Sequence, residues 1–428
     1  MPRSTVRRHR GAPRLDDVAR AAEAVARASY GKLVAYLAAR TRDVAGAEDA
    51  LSEAFAAALA DWPRSGVPRV PEAWLLTAAR RRLIDAARRQ RAGAEVAATL
   101  AIIGDEATDD DASPIPDDRL RLMFACAHPA IDPDVRAPLI LQAVLGFDAA
   151  AIASAFLVAP AAMGQRLVRA KRRIRQTGIP FRVPEADELD SRLPAVLDAI
   201  YAVYAVGWSD PAGTQPRHRG LAEEGIWLGR LVVSLLPQAP EALGLLALML
   251  HAEARRAARR DAGGEFVPLD RQDPQSWDVQ RIEEAEALLQ AAGRMAAPDR
   301  FQLEAAVQSV HAARRNTGRT DWAAIGALYD ALLARSGSVV VAINRAVAHA
   351  ELEPGPAGAA AGLTALDALS EQRELAEYQP YWAARAAFLA RVGRAADAAA
   401  AYRRAIGLES DPAVRRFLQG ELARLAPD

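Results

Sequence analysis

A chain of 428 residues, 51% apolar and 25% charged, is long enough for two to three domains and more than one hydrophobic core. Its 27 Gly, 26 Pro and single cysteine exclude collagen-like, disordered and disulfide-framework classes, and 54 basic against 54 acidic residues leave the average charge silent about partners. The lone Cys126 fits a reducing cytoplasm, and neither a signal peptide nor a membrane span is expected, because charged residues from Arg14 onward interrupt any apolar run.

The first module expected runs over residues 16–94. Leu51, Phe55, Ala58 and Trp62 recur at helical spacing and predict one buried face, with Glu48, Asp49 and Glu53 opposite. Three prolines and a glycine between Trp62 and Pro71 predict that the helix breaks at Pro63 and gives way to a short loop. A second helix from Glu72 buries Leu76, Ala79, Leu83 and Ala87, while Trp74, Ala78, Arg81, Asp85 and Arg88 share another face. Arg80, Arg81, Arg82, Arg88, Arg89 and Arg91 form a basic stripe opposed only by Asp85. Aromatics stack on unpaired bases and guanidiniums neutralise phosphates, so this line suits single-stranded or melting DNA. Core packing is the alternative for Trp74, and a solvated helix face is the alternative for the stripe.

Residues 95–116 hold a run of aspartates with prolines and no basic residue after Gly104, the composition of an acidic linker. The second module expected spans 117–184. A helix over 136–145 ends at Gly146, Asp148 N-caps the next through Phe156, and after a three-residue turn Pro160 opens a third. That third helix has Met163, Leu167, Ala170 and Ile174 on its apolar side and Gln165, Arg169 and Arg172 on its outer side. This is the plan of a helix-turn-helix, whose second helix enters the major groove, or equally of a helical hairpin with a cationic surface.

These residues carry a family resemblance. Ala47-Glu48-Asp49-Ala50, Glu53-Ala54-Phe55, Pro71-Glu72-Ala73-Trp74-Leu75 and Ala78 through Asp85 followed by Arg88-Arg89 resemble region 2 of extracytoplasmic-function (ECF) RNA polymerase sigma factors. Ala151-Ile152-Ala153 and residues 167–172 resemble their region 4. The resemblance implies that Glu48, Asp49, Glu53 and Phe55 face core RNA polymerase, at the β′ clamp helices and the β subunit. It implies that the loop from Pro63 to Pro71 receives a flipped base, that Trp74, Arg80, Arg81, Asp85 and Arg88 line the minus-ten strand of promoter DNA, and that Gln165, Arg166, Arg169 and Arg172 read the minus-thirty-five box. The first turn of the third helix, Pro160 to Gly164, is poor in hydrogen-bonding groups, so base reading falls to Gln165, Arg166 and Arg169.

Residues 190–428 are helical in pattern. Trp227 to Leu231 and Leu243 to Leu250 read as buried helices, 261–264 as a turn and Val267 to Trp277 as a polar loop. Trp382, Gly393, Ala398, Tyr402 and Ala405 fall at tetratricopeptide spacing. Residues 122–129, His251 to Arg256 and Asp270 to Asp278 resemble the ECF subgroup with a C-terminal tetratricopeptide-like extension; Ala205-Val206-Gly207-Trp208 departs from it. The resemblance implies that this extension regulates the factor, with an unknown protein or ligand as partner. The fold class expected is all-α: two small sigma modules and a helical-repeat domain. No catalytic constellation, metal spacing or cofactor motif is found, so neither enzyme, metal nor cofactor is expected; Cys126 reads as a buried thiol. The competing readings are a helical-repeat interaction scaffold with a degenerate sigma-like half, and a free-standing helix-turn-helix repressor.

Overall fold

The computed structural model describes residues 15–89, 118–156, 158–209, 220–295 and 298–425, so the expected acidic linker lies outside the described residues. Among those described, regular structure is helical apart from one antiparallel bridge between Arg260 and Phe266. The chain divides into two compact units, Met1–Ala199 and Ile200–Asp428.

In the first unit α1 (Leu15–Thr41), α2 (Val44–Ser65) and α3 (Pro71–Arg89) pack on one another. Asp43 N-caps α2, its carboxylate accepting the Gly46 N–H at 3.1 Å. Leu33, Leu37, Leu51, Trp62 and Leu75 are fully enclosed, each worth about 1.5–3 kcal/mol of burial. The predicted break at Pro63 is corrected. Proline lacks one N–H in a last turn, which α2 tolerates, and the helix runs on to Ser65. Gly66 stops it at φ 85°, a left-handed conformation that a side chain resists, leaving a loop of only Gly66 to Val70.

The same unit holds α4 (Arg119–Cys126), α5 (Pro133–Leu145), α6 (Ala149–Ala155), α7 (Pro160–Thr177) and the short α8 (Ala186–Leu189); α9 (Leu193–Ser209) begins there. The two expected modules share this unit, because α1 also packs on α4 and α5, and α2 on α7. Gly31 is the closest approach: a Cβ there would stand 1.6 Å from the Val144 carbonyl oxygen, so no other residue fits without parting the helices.

The second unit continues with α10 (Leu221–Leu235), α11 (Pro240–Ala254), α12 (Val279–Gly293), α13 (Arg300–Thr317), α14 (Trp322–Ser336), α15 (Val339–Ala350), α16 (Pro356–Asp367), α17 (Gln379–Arg391), α18 (Ala395–Leu408) and α19 (Pro412–Ala423). From α10 each helix packs against its successor, with α11 also against α13. From Ala242 to Ala254, α11 is buried on all sides, as its unbroken apolar run requires. Ala398, Tyr402 and Ala405 are buried in the α17–α18 hairpin, where small residues admit the neighbouring helix.

Trp227 corrects the expectation of burial. It is 41% exposed because α10 turns Gly225 and Gly229 toward Tyr204 and Met249, leaving position 227 on the other side. The polar segment from Arg255 to Asp278 is a strap. Arg314 of α13 donates to the carbonyls of Leu269 and Gln272, Arg260 pairs with Asp411, and Arg416 pairs with Glu265. Asp273 and Asp278 cap the helical turns that follow them. At the start of the strap, Arg259 donates to the Trp208 carbonyl at 2.6 Å and Arg256 to that of Gly207 at 3.3 Å. These arginines therefore fix the end of α9 at Gly207 and Trp208.

Candidate nucleic-acid interface

Trp74 sits on the first turn of α3 and meets the buried Trp62 edge to face, centroids 5.6 Å apart. That contact fixes the ring, and its remaining surface lines an open cleft of about 410 Å³ with Pro68, Arg69, Val70, Ala73, Thr77, Ala78 and Arg81. One aromatic wall and two guanidiniums give the cleft the chemistry to stack a base and neutralise a phosphate. Trp74 is thus half-buried against Trp62 while its remaining face walls the cleft.

The other expected strand-lining residues separate. Arg81 and Asp85 are exposed, and Arg88 lies in α3 with its side chain outside the described residues. Arg80 is corrected: it is 5% exposed and donates to the Tyr36 hydroxyl. On α3 it stands next to the buried Ala79, with the core stripe rather than the outer line. Arg69 and Thr77, not singled out from the sequence, belong to the cleft. Only knowing that the 66–70 loop folds back on α3 would have placed them there.

On α7, Met163, Leu167, Ala170 and Ile174 are buried as the periodicity requires. Gln165, Arg169 and Arg172 are exposed on the outer side and Arg166 is half-buried on a flank. Arg166 and Arg169, with Arg173 and Asp132, line a shallow cleft of about 250 Å³. Asp148 caps α6 through the Ala151 N–H at 2.8 Å, and α6 packs on α7 across a short connection. Val168 is 67% exposed in the midst of Gln165, Arg169 and Arg172, an apolar side chain that a pattern of polar residues does not single out. An exposed valine there offers a methyl contact for thymine.

On α2, Asp49 and Glu53 are exposed, Glu53 pairing with Arg82 of α3 at 3.3 Å, and Phe55 is half-buried. Glu48 is corrected from a solvent face to an enclosed one. Its carboxylate accepts from Lys171 of α7, and the two side chains are 12% and 13% exposed. Burial pushes the Glu48 carboxyl above its ordinary range, against the opposing effect of Lys171.

Cys126 is fully buried and burial pushes its thiol up, the setting of an inert packing cysteine. Among the described residues no group of His, Cys, Asp or Glu is placed to hold a metal, and no helix is long and apolar enough to cross a membrane.

The sigma-70 region 2 model matches residues 25–93, the span that contains α1 from Val25 onward, α2, α3 and the cleft. Residues 25–93 belong to the sigma-70 region 2 family. Region 2 is the core-polymerase-binding region of sigma-70 factors, so the match supports core RNA polymerase as a partner. A family of unknown function (DUF6596) matches residues 192–293, from the end of the first unit through α12. An uncharacterized protein of Rhizobium meliloti (strain 1021) is 38% identical over 406 residues, 94% of each chain. That relative therefore shares the whole arrangement, region 2 and helical extension together. No solved structure matches.

Proposed function

We propose that this protein is an ECF-type sigma factor that binds core RNA polymerase and directs promoter-specific initiation, with the tetratricopeptide-like second unit regulating it. The observation that carries the reading is the coincidence of the region 2 match with a cleft walled by Trp74, Arg69 and Arg81. Asp49, Glu53 and Phe55 contact the β′ clamp helices. Trp74 stacks the opened minus-ten strand while Arg81 and Arg88 hold its phosphates. Gln165, Arg166, Arg169 and Arg172, with Val168, enter the major groove of the minus-thirty-five box. The protein acts in the cytoplasm and catalyses no bond change itself. Binding energy spent on the separated strand drives opening, and the chemistry belongs to polymerase.

Transcript sequencing tests this. Purified protein is mixed with bacterial core polymerase and genomic fragments, and start sites are compared with and without it. Start sites that require the protein and share two spaced upstream boxes are expected. Absence of such sites, together with absence of polymerase binding, contradicts the proposal and leaves an interaction scaffold.

A further inference from the structure

Four arginines stand within six residues at the start of the strap: Arg255, Arg256, Arg259 and Arg260. Three of them converge on one indole of α9. The guanidinium carbons of Arg259, Arg256 and Arg255 lie 4.2, 5.4 and 5.7 Å from the centroid of the Trp208 ring. Like charges gathered this closely repel one another, and the carboxylates beside them are already engaged. Glu253 pairs with Arg256 at 2.6 Å and with Arg281 at 3.4 Å, and Asp411 pairs with Arg260. Among the described residues Arg255 and Arg259 have no ion-pair partner. Arg255 donates to Gln308 and Arg259 to the Trp208 carbonyl, so most of the five N–H donors on each guanidinium are unspent.

Neighbouring groups feel the excess of cations. Burial first, then Arg255, Arg256 and Arg260, hold the Arg259 guanidinium down to about 10 against the opposing effect of Asp411. Arg255 is likewise among the causes that lower His251 and His311 to about 4. Two donors are also buried without a hydrogen-bond partner: the hydroxyl of Tyr204, a residue 2% exposed, and Nη2 of Arg256. Glu253, Arg256 and Arg255 are the nearest charges acting on that hydroxyl. A buried donor is costly to leave unmade, and an acceptor carried in by an anion satisfies it.

We infer that Arg255 and Arg259, with the Tyr204 hydroxyl, form a binding site for inorganic phosphate or for the phosphate group of a small molecule. The site lies in the second unit and is independent of the sigma-factor reading. Its charge sets the ligand class: two guanidiniums without carboxylates match the roughly two negative charges of a phosphate near neutral pH, which a single carboxylate does not supply. The planar guanidinium fork also fits phosphate oxygens two at a time. Tyr204 stacks on Trp208 with centroids 6.2 Å apart, and Arg259 lies over the same ring, so the indole gathers guanidiniums instead of stacking a base. Both arginines are half-buried and remain reachable from solvent.

The test titrates the full chain with sodium phosphate in a calorimeter, at neutral pH and constant ionic strength. One saturable site is expected. Arg255→Gln and Arg259→Gln, each removing one of the two charges, should weaken it about ten- to a hundredfold, and Arg403→Gln, at an exposed position of α18, should leave it unchanged. Tyr204→Phe deletes a hydroxyl that has no partner among the described residues, and should lower the affinity about three- to tenfold. It takes the place of an arginine variant that circular dichroism shows to be unfolded. Glycerol 3-phosphate separates the two sources: tighter binding than inorganic phosphate assigns the site to a phosphate monoester, and equal or weaker binding assigns it to the free ion. No saturable binding by the wild-type chain overturns the site, as does equal affinity of the wild type and the site variants. Acetate bound as tightly as phosphate overturns the assignment to phosphate.

Discussion

The Arg80 guanidinium donates to the Tyr36 hydroxyl at 2.6 Å from a position 5% exposed, joining α3 to α1 across 44 residues of sequence. The same guanidinium lies 5.3 Å from the Tyr36 ring centroid, and Arg40 covers that ring at 3.4 Å. Arg80 thus supports the helix that presents Trp74 instead of touching nucleic acid. Arg80→Ala is expected to lower stability by about 2–4 kcal/mol, since it removes a buried charge-assisted bond and its packing. Arg81→Ala, at an exposed site, is expected to stay within about 0.5 kcal/mol. Urea unfolding of the two variants separates the roles; equal effects contradict them.

Trp74→Ala removes the wall of the cleft. Loss of one stacked base costs about 1–3 kcal/mol, so promoter opening with polymerase should fall by roughly five- to a hundredfold. Trp74→Phe keeps an aromatic face and should retain most of the activity. Permanganate reactivity of unpaired thymines reads the opening, and indifference to Trp74→Ala removes this residue from the strand path.

Arg169→Ala and Arg172→Ala each remove one candidate phosphate or base contact. The slope of log affinity against log salt for duplex carrying the upstream box should drop by about 0.9 for a phosphate contact. A base contact instead relaxes selectivity at one position by about 1–3 kcal/mol. Val168→Ser should lower the preference for thymine while leaving the salt slope unchanged. Filter binding at several salt concentrations distinguishes the three outcomes.

The stripe of Met163, Leu167, Ala170 and Ile174, the cap at Asp148 and the presence of a loop ahead of Pro71 were legible because each depends on local periodicity or on a residue type that fixes the backbone. Pro63 misled, since it costs α2 one hydrogen bond near its end without stopping the helix, which runs on until Gly66 turns the backbone. Glu48 and Arg80 misled for another reason. Their partners, Lys171 and Tyr36, lie 123 and 44 residues away, and a periodic pattern cannot tell a solvated face from one covered by a distant helix. Gly31 carried no signal at all until Val144 stood against it.

His251 and His311 in the second unit set an acid limit on stability. Burial first, then Arg255, lowers the pKa of His251 to about 4; burial, then Arg255 and Arg314, does the same for His311. In the unfolded chain both titrate near ~6.5. Between these values the unfolded chain binds more protons, so this contribution to stability is full above about 6.5 and is lost as pH falls toward 4. The loss is on the order of 3 kcal/mol per histidine. Thermal unfolding from pH 7 to 4.5 should show a steeper decline for wild type than for the His251→Asn/His311→Asn double variant. Parallel declines contradict the assignment.

Region 2 of this chain is expected to dock on polymerase through the exposed acidic side of α2. Fluorescence anisotropy of the labelled full chain titrated with core RNA polymerase measures that docking directly. Saturable binding is expected, weakened roughly tenfold or more by Asp49→Lys and unchanged by Arg172→Ala, which lies on the outer face of α7. No saturable binding, or equal binding by wild type and Asp49→Lys, contradicts the claim.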